Sequence, residues 1–163
     1  MNIKILLSGD GGQGIQLMSD LICRAAIQRG FFVSHIPNYG LEQRGGVSLA
    51  FIQISDSEIA YPKFSRPDVL VVLSDQARER VKNYRYSDIK ILDIQDFRKE
   101  LEENKIQQQS YNIFFLGKLA KMLEEKGVLK RDVVLDLLEK KLSVKPGWEE
   151  NKRAFEMTRN IGY

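Results

Sequence analysis

Gly9-Asp10-Gly11-Gly12-Gln13-Gly14 has the residue types and spacing of a G-x-G-x-x-G loop. Glycines in such a loop let the backbone take positive φ and let a ligand or neighbouring chain come close. The helix that follows offers unpaired N–H groups to an anion. The chemistry this suggests is recognition of a dinucleotide phosphate. Two features oppose it. A nicotinamide site carries a carboxylate about 20 residues on, after the second strand, to hold the ribose. The corresponding stretch here, Val33-Ser34-His35-Ile36-Pro37, has none. Asp10 also puts a negative charge into a turn meant for phosphate. A tight turn that packs helix on sheet is therefore preferred. A stand-alone nucleotide-binding module or NAD-dependent reductase is the alternative.

A second chemical cluster lies in residues 38–46, which read as a loop containing Tyr39, Glu42, Arg44, Gly45 and Gly46. Arg44 brings a planar, permanent charge suited to a carboxylate or phosphate. The two glycines keep the backbone beside it bare. Glu42 is close enough in sequence for a local ion pair, and Tyr39 offers a ring with a polar tip.

The elements that must position these groups follow from periodicity. Residues 3–7 are a short apolar run that stops at the glycines, which predicts a buried strand. Ile15, Met18, Ile22 and Ala25 recur at helical spacing over residues 15–29, and Gly30 closes that helix. Phe31-Phe32-Val33 opens a second strand, giving a βαβ unit with an expected right-handed crossover. Residues 47–54 predict a strand turning at Ser55-Asp56-Ser57 into an antiparallel partner at 58–61. Residues 68–73 and 90–92 are further strands, with a helix near 76–83 between them. Three more helices are expected: one through Ile113, Leu116, Ala120 and Leu123, one from near Arg131, and one after Pro146-Gly147-Trp148. The expected fold is α/β: one domain over residues 1–163, Rossmann-like and three-layered, with a mostly parallel sheet, an antiparallel hairpin and C-terminal helices. Loops leaving the carboxyl ends of parallel strands share one rim, which would set the two glycine-bearing turns side by side.

Composition bounds the function. The 163 residues are 43% apolar and 29% charged, with a net charge of +3, which fits a soluble globular domain and not a dedicated nucleic-acid binder. No apolar run reaches membrane-span length, so a cytoplasmic location is expected. A single cysteine, Cys23, allows no internal disulfide and no iron–sulfur cluster held by this chain alone. Cys23 lies within the first helix and reads as a small buried side chain. His35, the only histidine, reads as structural. Ser8 lacks the frame of a nucleophile elbow. Arg78, Arg80, Lys82 and Arg85 form the most basic stretch. It reads as a solvated helix face in preference to a docking patch for an acidic partner. Phe114, Phe115 and Trp148 fill a core or a subunit contact.

Taken together, GDGGQGI at residues 9–15, YGLEQRGG at 39–46, ISD at 54–56 and PDVL at 67–70 resemble the gamma subunits of 2-oxoacid:ferredoxin oxidoreductases in order and spacing. Asn112, Leu116-Gly117 and NKRAF at 151–155 extend the likeness into the C-terminal helices. The resemblance implies a heteromeric complex that oxidatively decarboxylates a 2-oxoacid such as pyruvate or 2-oxoglutarate, forms an acyl-coenzyme A and passes electrons to ferredoxin or a similar carrier. Partners would be alpha and beta subunits and, where present, a delta subunit, with no nucleic acid or membrane. Thiamine diphosphate, Mg and iron–sulfur clusters are expected on those partners, coenzyme A as co-substrate of the complex, and no cofactor on this chain alone. Gly9, Gly11, Gly12, Gln13, Gly14, Tyr39, Glu42, Arg44, Gly45 and Gly46 are carried over as interface and active-site-adjacent residues, with no catalytic or metal-binding residue assigned.

Overall fold

A computed structural model describes residues 1–39 and 45–162. Strands β1 (Asn2–Asp10), β2 (Phe32–Tyr39), β3 (Val47–Ser55), β4 (Val69–Val72) and β5 (Lys90–Asp93) form one sheet in the order β2-β3-β1-β4-β5. β1 is parallel to β4, and β4 to β5. β3 runs antiparallel to both β1 and β2, so it alone opposes the others. β1 is central because both its faces are apolar: Ile3, Ile5 and Leu7 enter one core cluster and Leu6 the other.

Two expectations are corrected. Residues 58–61 form no strand. The antiparallel hairpin is made by β2 and β3, which leaves β3 paired along both sides and with no free edge for a further partner. The second loop is also shorter than expected, since Asn38 and Tyr39 belong to β2.

Helix α1 (Ile15–Gln28) ends as the sequence predicts: Gly30 takes φ 85°, its N–H donates to Ile27 O at 2.9 Å, and the Phe31 N–H donates to Ala26 O at 3.2 Å. Then come α2 (Asp75–Arg80), α3 (Ile94–Glu103), α4 (Tyr111–Glu125), α5 (Arg131–Leu142) and α6 (Trp148–Met157). The layers on the two faces of the sheet are unequal. On one face α1 and α3–α6 bury a large core in which Phe97, Phe114 and Phe115 meet edge to face. Phe114 and Phe115 are therefore core residues, and Trp148 packs, partly buried, against this core cluster. On the other face, among the described residues, a thinner layer of α2, a 3-10 turn (Lys82–Tyr84) and the loop through Phe64 covers Leu6, Leu49, Leu70 and Val72.

The C-terminal helices are locked by two unusual residues. Gly117 lets α4 approach α6 so closely that a Cβ there would lie 2.9 Å from Phe155 O. Arg131 is fully buried; its guanidinium sits 4.3 Å from the Phe155 ring centroid and donates to Phe155 O and to Thr158 Oγ1, at 3.1 Å for the latter. A cation at these carbonyls complements the negative end of α6.

Candidate functional site

The carboxyl ends of β1, β2, β4 and β5 and the start of β3 form one rim, fixed by the register Asp10↔Val47 and Tyr39↔Ser48. The glycine turn occupies its centre. Gly12 takes φ 89°, and Gly14 takes φ 74° as the residue that starts α1, conformations that L side chains adopt only at a cost. Gln13 holds the turn shut. Its Oε1 accepts the Asp10 N–H at 2.6 Å, and its Nε2 donates to Leu73 O at 3.2 Å, which ties β1 to the end of β4.

The structure joins this turn to the second one directly. The Gly11 N–H donates to Gly46 O at 2.8 Å. Gln76, with its amide nitrogen turned toward them, donates to Gly45 O and to Asp10 Oδ1, each at 3.2 Å. Gly9, Gly11, Gly12, Gln13, Gly14, Gly45 and Gly46 therefore share one rim. Tyr39 stands beside them at the end of β2, 67% exposed. Glu42 and Arg44 lie outside the described residues.

Asp10 faces α2 and not the turn's open side. Its carboxylate accepts from Ser74 Oγ at 2.6 Å, and Ser74 Oγ in turn accepts the Ala77 N–H at 2.9 Å to cap α2. Ser74 and Gln76 were not found from sequence, because their bonds to Asp10, and that of Gln76 to Gly45, join segments far apart in the chain. A cleft of about 570 Å³ opens between Gly12, Gln13, Gly14, Gln108, Gln109 and Asn112. α1 begins there with no side-chain cap and no acid in its first turn. Asn112 presses its side chain over Gly14, so any Cβ at position 14 would collide with it.

Further along the rim, Asp93 is the buried hub of an ion network. Arg78 grips both its oxygens, at 2.8 and 2.6 Å, and Arg85 adds a bond at 2.9 Å. Burial alone would raise the Asp93 pKa. The bonds from Arg78, the Gln95 N–H and Arg85 outweigh it and hold the carboxyl below its ordinary value. The basic stretch is thus largely neutralised within the molecule: Arg78 and Arg85 pair with Asp93, and Lys82 with Glu79.

The other singled-out residues read as structural. Ser8 is buried and donates to Val71 O at 2.7 Å. Burial pushes the Cys23 thiol up to about 12, with Asp20 adding to the effect. His35 lies exposed on edge strand β2. Partial burial of its ring lowers its pKa against the opposing pull of Asp20.

A mixed α/β sheet with two glycine turns bonded at one rim defines the class: a Rossmann-like three-layer domain. Comparison with known proteins agrees. Residues 4–91, more than half the chain, match the family model described as "Pyruvate ferredoxin/flavodoxin oxidoreductase". The chain belongs to the pyruvate ferredoxin/flavodoxin oxidoreductase family. It is 44% identical over 78 residues to the 2-oxoglutarate synthase subunit KorC of Methanothermobacter marburgensis, a match covering 47% of this chain and 42% of that relative. The match thus spans less than half of that relative's length. Among solved structures, a 2-oxoglutarate:ferredoxin oxidoreductase from Magnetococcus marinus superposes with a TM-score of 0.78 at 19% identity, covering 96% of this chain and 30% of that one. The gamma subunit of a keto/oxoacid ferredoxin oxidoreductase from Geobacter sulfurreducens superposes with a TM-score of 0.66 at 24% identity, covering 95% of both chains. At such identities the likeness to both structures is one of fold.

Proposed function

We propose that this chain is the gamma-type subunit of a heteromeric 2-oxoacid:ferredoxin or similar acceptor oxidoreductase, inactive alone. Its complex converts a 2-oxoacid such as 2-oxoglutarate or pyruvate to the acyl-coenzyme A. The single observation that carries the reading is the Gly11–Gly46 bond, which fuses both motif-bearing turns into one rim. Such a rim, built among the described residues largely of backbone, glycine and glutamine, suits docking beside a partner's active centre. Family membership and the KorC likeness support the reaction class. The Magnetococcus protein, which has 2-oxoglutarate, coenzyme A and succinyl-CoA bound, gives the substrate class by analogy.

Thiamine diphosphate, Mg and the iron–sulfur clusters belong, in this reading, to alpha, beta and delta-type partners. The donor set of this chain does not fit a cluster, since its only cysteine is a buried thiol and clusters need about four thiolates. Among the described residues no three His, Cys, Asp or Glu side chains could hold a metal ion. No helix of the described residues is long and apolar enough to cross a membrane.

Reconstitution tests the proposal. The isolated chain is expected to show no turnover, and the chain combined with its partners to oxidise a 2-oxoacid in a coenzyme A-dependent manner. Arg44→Ala is expected to assemble but to lower turnover of the complex. Full oxidoreductase activity in the isolated chain would overturn the subunit reading. Unchanged turnover in Arg44→Ala would reduce the chain to an adaptor.

A further inference from the structure

The thin side of the sheet carries a second site, at the end remote from the glycine rim. In antiparallel pairing, residues directly opposite each other point to the same face. Ser34, Gln53 and Lys4 therefore make one row across β2, β3 and β1, and Phe32, Ser55 and Asn2 make the next. Both rows lie on the face that carries Leu6 and Phe51, beyond the part covered by α2 and Phe64. A groove of about 560 Å³ opens over the β1 and β3 members of these rows, Asn2, Lys4, Gln53 and Ser55, walled by Glu58, Tyr61 and Lys63, with Phe32 on the neighbouring strand.

The polar groups of this groove are incompletely paired. Gln53 is only 5% exposed, and its Oε1 is buried with no hydrogen-bond partner. A buried acceptor without a donor costs about 1–3 kcal/mol, so such atoms in folded proteins usually mark a place that something else completes. Lys4 and Lys63 have no ion-pair partner among the described residues. The Met1 ammonium, by contrast, is taken by Asp56. Glu58 sets one carboxylate against the two lysines, which leaves the groove positive. Phe32, in the outer row, is 50% exposed.

From these we infer that the groove receives an extended, acidic segment of a partner subunit. The segment's carboxylates meet Lys4 and Lys63, one of its N–H groups donates to Gln53 Oε1, and an apolar side chain covers Phe32. A lone small anion would satisfy the lysines and leave Gln53 unpaired, whereas a polypeptide brings donors and acceptors together. The inference rests on the subunit reading, and its test separates the two.

The tagged chain would be recovered with its partners from its native cells, treated with a carbodiimide that joins amines to carboxylates without a spacer, and mapped by mass spectrometry. Amine acetylation would be compared between the complex and the free chain. Expected are Lys4 or Lys63 joined to an Asp or Glu of another subunit, and both lysines protected in the complex. Lys4→Gln with Lys63→Gln should weaken association by about tenfold, most at low salt. Gln53→Leu should leave thermal unfolding of the free chain unchanged or raised while weakening association. Partners present with both lysines fully reactive would overturn this inference and leave the subunit reading standing. A chain that recovers no partner would overturn both.

Discussion

Gly117→Ala sets two effects of opposite sign against each other. In an ordinary helix interior the change is worth about 1 kcal/mol in favour of alanine. Position 117 lies in α4, where a Cβ would sit 2.9 Å from Phe155 O and would also strike the Thr158 hydroxyl. Neither neighbour can swing aside cheaply. Phe155 O is backbone and accepts from Thr158 Oγ1 at 2.7 Å, and the buried Arg131 guanidinium donates to both groups. Arg131 has nothing to spare, since its Nε and Nη1 are already without partners. α4 and α6 would have to part by some tenths of an ångström. Overpacking of this kind costs about 1–3 kcal/mol, and weakening a bond to a buried charged group adds about 1–3 kcal/mol. Net of the propensity gain, the loss is about 3 kcal/mol, which for a chain of this length lowers Tm by roughly 6–12 °C. Thermal and urea unfolding followed by circular dichroism would measure it. Thr158→Ala in the same background removes one of the colliding groups, so the two losses should fall short of additive. A Tm for Gly117→Ala equal to or above that of the parent would refute the reasoning.

Three further outcomes are expected. Gly14→Ala should cost about 1–2 kcal/mol, because φ 74° is unfavourable for alanine; adding Asn112→Ala should not restore it, and full recovery would show that collision with Asn112, not backbone strain, set the cost. The folded pKa of Asp93 lies below its unfolded value, so its stabilisation is complete above about pH 4 and is lost as pH falls through the folded value; Asp93→Asn should flatten the acid limb of a stability–pH curve, and an unchanged limb would remove Asp93 from the account. The Cys23 thiol, raised to about 12, should resist a disulfide reagent at pH 8 in the folded chain and react at the rate of unfolding; immediate reaction would contradict its burial.

The sequence made most of the scaffold legible where local chemistry agrees with global packing. The run through Ile5 and Leu7, the Gly30 terminator and the buried strand through Val71 each carry their own signal, and each stands where expected. What failed was pairing. The strand expected at 58–61 had a plausible turn before it, but strand partners are chosen by long-range competition, and β1 and β2 had already taken both sides of β3. The chain after β5 reads as helical, but α3 has no legible bounds, because only Ile94 and Leu101 are buried in it, with Phe97 partly so, too few apolar positions to show a period. The rim was legible as two glycine turns. Gln13 was legible with them as part of the first motif; Ser74 and Gln76 were not, since their bonds to Asp10 and Gly45 cross the fold.

The reversed direction of β3 means that the chain reaches the rim on β2 and departs from it on β3, anchored at the departure by the Gly46 carbonyl. In the sequence, residues 40–44 join these two strands, which are paired with each other. Changing the length of that connection alters loop-closure entropy by only about 0.6 kcal/mol per doubling. The layers beneath can thus keep their packing when the connection between β2 and β3 changes in length or charge.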